Sequence, residues 1–512
     1  MGSKDTFYIT SAIYYVNDAP HVGHTYEIVA CDVIARYRRL RGERVWFLTG
    51  TDEHSQNVAK AAAERGISPQ AWTDQIVPVW KDTFARLGIS NDDFIRTSEQ
   101  RHAERVQEFV QHLYDRGEIY LGTYEGPYCV SCEEFKVESE LENGTDCPIH
   151  HRPVEWLAED NYFFPLSKYQ EPLLQHYRDH PEFVRPATRR NEVVSFVQGG
   201  LQDLSVTRAA AVWGIPVPWD PKHVVYVWVD ALLNYITAAG FGADPDRFAQ
   251  LWPADVHMIG KDITRFHAVI WPAMLMAAEL PLPTTVFAHG FLSFGGQRMS
   301  KSLGTGIAPE EVLRRFGLDA YRWYFVRDVQ FGQDGDFTWE SLRARYTSEL
   351  ANGLGNLASR VLAMVDANLG GVVPEPSGVK GTGGLSGTAG VAAAAFDRHM
   401  MSLRLNEAFG VVGELIREAN RFLVETAPWK LAKEPARRQD LADVLYEALE
   451  MLRIVALLAW PAMPDAAERL WRQLGMAEPL SSQVLPDAAE WGRLRPGTRT
   501  ARGDSLFPRL ED

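Results

Sequence analysis

Three groups of residues in this chain have the types and spacing that chemistry requires. The first is His21-Val22-Gly23-His24, two imidazoles around a glycine, set between a strand-like and a helix-like stretch. A helix N-terminus offers unpaired N–H groups and the positive end of a dipole, which suits phosphate. Both rings can donate hydrogen bonds to phosphate oxygens. Gly23 has no side chain to keep a flat base from the backbone. The second group is Arg298-Met299-Ser300-Lys301-Ser302, preceded by Gly295-Gly296 and followed by Gly304. A loop of that composition can move and bring two cations onto a triphosphate. The third is Cys129-x-x-Cys132 with Cys147-x-x-His150. Two pairs of that spacing can close a tetrahedron around zinc, and four protein ligands leave no open position, so such a metal is structural. His151 competes with His150 for the fourth place. The remaining cysteine, Cys31, stands alone on an expected helix and reads as packing.

The elements that must position these groups can be read from periodicity. Phe7–Ser11 is a short apolar strand, followed by a loop with Asn17, Asp18 and Pro20. From His24 to Leu40 the residues Ile28, Val29, Val33, Ile34 and Tyr37 recur at helical spacing, and Gly42 ends the helix. Val45–Leu48 is a buried strand ending at Gly50-Thr51-Asp52. Two strands joined by one helix are most simply parallel and right-handed. A polar region from about Gly117 to Trp219 interrupts this pattern and reads as an insertion. The α/β pattern is expected to resume with strands at Val224–Val229, Val256–Ile259 and Thr285–Ala288, with a helix from about Asp262 to Ala278. After about Leu350 the chain turns helical, with one stripe at Phe409, Val412, Ile416, Ala419, Leu423 and Thr426 and another at Leu441, Val444, Leu445, Ala448, Leu452 and Val455. A bundle fits. Gly370–Gly390 reads as a flexible loop of no derivable function.

The expected fold is therefore α/β: a doubly wound, Rossmann-like parallel sheet with an inserted zinc-knuckle region, then a helical bundle. The divisions expected are 1–117 and 223–293 for the two halves of the sheet domain, 118–222 for the insertion, 294–350 for the second motif and its surroundings, and 351–512 for the helices. A length of 512 residues fits three or four domains at about 150 residues each. The net charge of −15 argues against non-specific coating of nucleic acid, although a local basic surface still permits an RNA partner. No leading segment reads as a signal peptide. The most apolar stretch, Ile454–Met463, is far short of the roughly 20 residues that span a bilayer. A cytoplasmic protein with no membrane partner is expected.

His21–His24 and Arg298–Ser302, in this order, resemble the two signatures of class I aminoacyl-tRNA synthetases. Further segments are similar to the methionyl-tRNA synthetases in particular: Thr10–Asn17, Leu48–His54, Val227–Ala231 and Ile259–Ile263. The resemblance covers nearly the whole chain. It implies ATP, with Mg2+, held against His21, Gly23 and His24, its ribose near Gly260 and Asp262, its phosphates near Lys301 and Arg298, and Arg208 close by. It implies a methionine pocket of Ile13, Tyr15, Trp228, Ala231, Leu232, Tyr235, Ile263, His267 and Trp271. A flexible, polarizable thioether suits such aromatic lining. Asp52, at the C-terminal edge of a strand, is placed to accept the substrate ammonium. It implies an anticodon-binding helical domain in which Asn356, Arg360 and Trp429 read bases by stacking and edge contacts. It implies one structural Zn2+ on Cys129, Cys132, Cys147 and His150, and as partners L-methionine, ATP and tRNA(Met), initiator and elongator. The expected reaction is ligation of methionine to tRNA for translation, through a methionyl-adenylate.

Two positions depart from the family pattern. Arg298 stands where Lys is usual, and the two cations grip phosphate differently. Ser55 stands where many relatives have Gly. The chain stops soon after the bundle, from which a monomer is expected. Rivals are a synthetase for valine, isoleucine, leucine or cysteine, a non-catalytic paralogue, and an enzyme passing methionine to another acceptor. The insertion is too short for a long editing domain, and a closed knuckle argues against zinc in the pocket. Intact His21, His24 and Lys301 speak against the second rival, and Asn356, Arg360 and Trp429 against the third.

Overall fold

The structure is a computed structural model that describes residues 4–130, 134–136, 138–149, 151–209, 213–298, 306–378 and 384–510. The chain divides into two compact units. The first comprises 1–20, 45–83 and 91–289, the second 21–44, 84–90 and 290–512.

The first unit is built on a six-stranded sheet. Its strands are β1 (Thr6–Tyr15), β2 (Arg44–Asp52), β3 (Asp93–Arg96), β4 (Val184–Arg185), β5 (Val256–Gly260) and β6 (Val286–His289), in the spatial order β3-β2-β1-β5-β6-β4. The pairs β1/β5, β5/β6, β6/β4 and β2/β3 are parallel. Every residue of β5 and β6 is buried, as expected of strands covered on both faces. The chain winds outward from β1 through β2 to β3, then restarts beside β1 with β5. Strand order thus reverses between β1 and β5, and in α/β sheets ligands bind outside the strand ends at such a reversal. The parallel α/β sheet and the helical C-terminal region agree with expectation.

The inserted region forms an antiparallel sheet in the order Glu134–Phe135, Tyr120–Cys129, Glu155–Phe164, Leu204–Ser205, and a smaller one of Pro216–Val217, Asp220–Val225 and Thr207–Arg208. It also returns β4 to the edge of the main sheet. The strand expected at Val224–Val229 is not one element. Val225 ends a strand, and Val227 opens a helix (Val227–Thr237) that is buried along nearly its whole length. A helix enclosed on all sides carries no polar stripe, so its apolar run reads like a buried strand.

The helix expected from Asp262 to Ala278 runs without a break from Lys261 to Ala277 but changes its hydrogen bonding along the way. A 3-10 turn at Lys261–Ile263 and a π-helical stretch at Phe266–Ile270 precede an α-helix at Trp271–Ala277. Pro272 is the cause. It has no N–H to give the carbonyl of Ala268, and its ring would crowd that carbonyl in a regular α-helix. The Tyr177 hydroxyl donates to the Ala268 oxygen instead, at 2.6 Å.

In the second unit α1 (Val22–Leu40) precedes α2 (Leu318–Asp328), α3 (Asn356–Leu369), α4 (Leu385–Met401), α5 (Leu405–Thr426) and α6 (Arg438–Ala459). The expected stripes of α5 and α6 are buried except at Thr426 and Val444, which are partly exposed, and the C-terminal half of α6 is buried all round. α4 starts inside the stretch expected to be loop, so 385–390 is helical. The helix after β1 groups with the second unit. Its buried Asp32 accepts from Arg322 of α2 at 2.6 Å and from Arg36 at 2.7 Å. Arg322, fully buried, also donates to the carbonyls of Leu87, Pro461 and Ala462.

Candidate active site

His21 is the N-cap of α1. Its Nδ1 accepts from the Gly23 N–H at 3.0 Å, and the His24 Nδ1 accepts from the His21 N–H at 3.2 Å. Each neutral ring therefore carries its proton on Nε2, the tautomer that lets Nε2 donate. The rings stack with centroids 3.8 Å apart. Gly23 has a second reason to be glycine. A Cβ there would lie 2.8 Å from the His21 ring and displace the cap. The first turn of α1 is anchored by the Val22 N–H on the Ile307 carbonyl at 3.0 Å and by Thr25 on the Tyr321 hydroxyl. In the second motif, Gln297–Arg298 pairs antiparallel with Leu292–Phe294 through Gly295 and Gly296, both at positive φ. That is the backbone of a tight hairpin turn which glycine permits. Lys301 lies outside the described residues.

Aromatic and imidazole side chains of the first unit converge around Tyr235 on the helix Val227–Thr237. Its hydroxyl donates to His267 Nε2 at 2.7 Å, because the His267 Nδ1–H is already given to the Ile263 carbonyl at 3.1 Å. Burial pushes the His267 imidazole down to about 4, so it is neutral. Trp271 donates its indole N–H to His257 Nε2 at 3.3 Å, and His257 Nδ1 meets Thr10 of β1 at 2.9 Å. Burial likewise holds His257 well below its ordinary range. Tyr235, His267 and Trp271 are thus a buried, hydrogen-bonded floor. Ile13, Tyr15, Trp228 and Ile263 are only partly buried, and the Tyr15 and Trp228 rings meet edge-on at 6.0 Å. Ala231 and Leu232 are buried on the same helix as Trp228. Asp52 is buried at the end of β2. Sequence reasoning missed His257, although a histidine inside the apolar run Val256–Ile259 is itself a signal.

Gly260 ends β5, and a Cβ on it would lie 2.6 Å from an Asp262 carboxylate oxygen. Glycine lets the exposed Asp262 fold back over the strand end. Arg208 is buried, donates to Ser205 and Thr207, and stacks on the Tyr226 ring at 4.1 Å. Ser55 caps the helix Gln56–Glu64 by accepting from the Val58 N–H at 3.1 Å, a role glycine cannot fill.

Cys129 and Cys147 are buried and reduced within a largely exposed polar sheet. The backbone closes a turn here: the Cys147 N–H donates to the Arg152 carbonyl and the His151 N–H to the Cys147 carbonyl, each at 2.8 Å. The exposed His151 ring is engaged by Glu142 at 2.6 Å. Cys132 and His150 lie outside the described residues. Among the described residues no three metal-ligating side chains gather.

In the second unit Asn356 is exposed at the head of α3, and Arg360, one turn on, lies over the Trp429 ring at 5.3 Å. Trp429 is 38% exposed. Ala427 at φ 45° makes the corner between α5 and Pro428 that presents it, a conformation unfavourable for a residue with a Cβ. A cleft of about 430 Å³ is lined by Arg343, Thr347, Ala351, Asn352, Arg509 and Leu510.

Profile comparison matches residues 7–153 and 136–362 to the family described as tRNA synthetases class I (M), and 387–512 to the anticodon binding domain of methionyl tRNA ligase. The chain belongs to the class I methionyl-tRNA synthetases. It is 53% identical to the methionine–tRNA ligase of Streptomyces coelicolor, over all of this chain and 98% of that one. It is 46% identical to that of Thermotoga maritima, over 99% of this chain and 80% of that one. The structure of Mycobacterium tuberculosis methionyl-tRNA synthetase in complex with methionyl-adenylate superposes with a TM-score of 0.95 at 43% identity, covering 99% of this chain and all of that one. As a family member, the chain is a methionine–tRNA ligase by class of enzyme. Among the described residues no helix is long and apolar enough to cross a membrane.

Proposed function

We infer that this chain activates L-methionine with ATP to methionyl-adenylate and transfers the methionyl group to the 3′ end of tRNA(Met), initiator and elongator. The observation that carries the substrate is the buried cluster of Tyr235, His267 and Trp271, with the partly exposed Trp228, which meets Tyr15, on the same helix as Tyr235. It is apolar and aromatic, and its polar atoms are already bonded within the protein, which suits a polarizable thioether. Asp52 accepts the substrate ammonium. The methionine carboxylate attacks the α-phosphate and pyrophosphate leaves, so no side chain need act as nucleophile. His21 and His24, through Nε2–H, donate to phosphate oxygens as charge develops there. Gly23 and Gly260 admit the nucleotide to the backbone, and Asp262 bonds its ribose. Arg298 and Lys301 hold the phosphates, with Mg2+ offsetting the charge of the leaving group, and Arg208 supports the same site. Asn356, Arg360 and Trp429 bind the anticodon, by base stacking on Trp429 and contacts to base edges.

One structural Zn2+ on Cys129, Cys132, Cys147 and His150 fits two buried thiols in a polar sheet and the closed turn after Cys147. The engagement of His151 by Glu142 favours His150 as the fourth ligand. Metal analysis should return about one zinc per chain, lost in Cys147→Ser; an equal zinc content in that variant excludes the site. The divisions expected from sequence, a monomer and a cytoplasmic location belong to the same reading. Its test is exchange of labelled pyrophosphate into ATP with each amino acid in turn. Exchange with methionine alone is expected. Exchange with no amino acid, in folded zinc-replete protein, would overturn the catalytic reading.

A further inference from the structure

Asp230 is fully buried on the helix Val227–Thr237, three residues along from its first, and both its oxygens are taken. One accepts from His54 Nδ1 at 2.6 Å, the other from His102 Nε2 at 2.7 Å. The other nitrogen of His102 meets Thr237 at 2.8 Å, two turns along the same helix. His102 is therefore keyed to this helix twice. His54 lies two residues beyond Asp52, in the loop that leaves β2. The residue between them, Glu53, is buried and accepts from Arg96 at 2.7 and 2.9 Å, from Thr51 at 2.8 Å and from Ser98 at 2.6 Å. Trp213 packs edge-on against His54 at 4.9 Å and donates to the Glu53 carbonyl at 2.6 Å.

A carboxylate with both oxygens occupied cannot turn without breaking a bond. In a buried site the lost partner is not replaced by water, so the group would be left unsatisfied. The helix so gripped is the one that carries Trp228, Ala231, Leu232 and Tyr235. We propose that Asp230 is a positioning residue for amino-acid selection. By drawing in His54 it holds the Asp52 loop at a set distance from the methionine-pocket helix. The span between ammonium and thioether then becomes a ruler for side-chain length. This rests on the assignment of Asp52 to the ammonium and of the helix to the side chain.

The test is pyrophosphate exchange by the full chain, with thermal unfolding followed in parallel. Variants are Asp230→Asn, His54→Gln and the double. A loosened anchor is expected to raise the KM for methionine by about 10-fold or more, since small misplacements cost that much or greater. The KM for ATP and kcat should stay within about 2-fold. The preference for methionine over homocysteine, one methyl shorter, should narrow. The double variant should be little worse than either single, because both cut one link. An unchanged KM for methionine would overturn the proposal, as would a parallel fall in every constant together with the melting temperature. If Asp230→Asn does not fold, His54→Gln carries the test, because it leaves the bond to His102 intact. Asp52→Asn separates the two readings. Normal methionine KM in that variant overturns the assignment of Asp52, whereas an impaired Asp52→Asn beside a normal Asp230→Asn overturns the clamp alone.

Discussion

His267 and His257 are two neutral imidazoles inside a core, and their neutrality is a statement about stability. Burial lowers the His267 pKa from its ordinary 6.5 to about 4, and His257 moves the same way. Between those values the unfolded chain takes up a proton that the folded chain refuses. Stability is full above about pH 6.5, falls as the pH drops toward 4, and levels off below that. At about 1.4 kcal/mol per unit, His267 alone should account for about 2 kcal/mol of loss at pH 5 relative to pH 7. Urea unfolding at the two pH values measures it. Asp319, whose carboxyl is pushed up to about 6 mainly by burial, acts in the opposite sense. The comparison must therefore be with His267→Gln, in which the pH dependence should flatten; an unchanged slope in that variant would remove His267 as its source.

Among the elements, α6 shows how a helix can be fastened from its own side chains. Glu450 and Arg453, one turn apart and fully buried, form an ion pair at 2.7 Å. Glu450 also accepts from the N–H groups of Gly492, Arg493 and Leu494, and Arg453 donates to the carbonyls of Ala488 and Glu490. Together they fasten the segment 488–494 to α6. Arg453→Leu leaves a buried carboxylate without its counter-charge, and should cost about 3–5 kcal/mol. The pair Glu450→Gln with Arg453→Leu should cost less than the sum of the singles, because the stranded charge is gone. Denaturant midpoints of the three variants decide it; strict additivity would mean that the two side chains act independently.

At the scale of the whole molecule, the exposed Trp429, backed by the Arg360 guanidinium, is the surface from which tRNA selection is argued. Stacking of one base on an aromatic ring contributes about 1–3 kcal/mol. Trp429→Ala should therefore raise the KM for tRNA in aminoacylation by roughly 10- to 100-fold. Pyrophosphate exchange without tRNA should be little altered. Arg360→Ala should add less on top of Trp429→Ala than it does alone, since its position over the ring is lost with the ring. A tRNA KM that Trp429→Ala does not move would place base recognition elsewhere.

The sequence by itself determined which residue types stand where the chain needs them: the two signatures, four of the six strands of the parallel sheet (β1, β2, β5 and β6) and the stripes of α5 and α6. These are legible because they depend on local order and on periodicities of two or 3.6 residues. Tertiary structure alone decided the rest. The Val227–Thr237 run became helix rather than strand because its surroundings bury it on every side, and periodicity cannot show what an enclosed segment packs against. The helix after Asp262 changed its hydrogen bonding where Pro272 freed a carbonyl that Tyr177, 91 residues away, could satisfy. Asp230 met His54 and His102 across separations of 176 and 128 residues. A hydrogen bond depends on distance in space, and spacing along the chain carries no record of it.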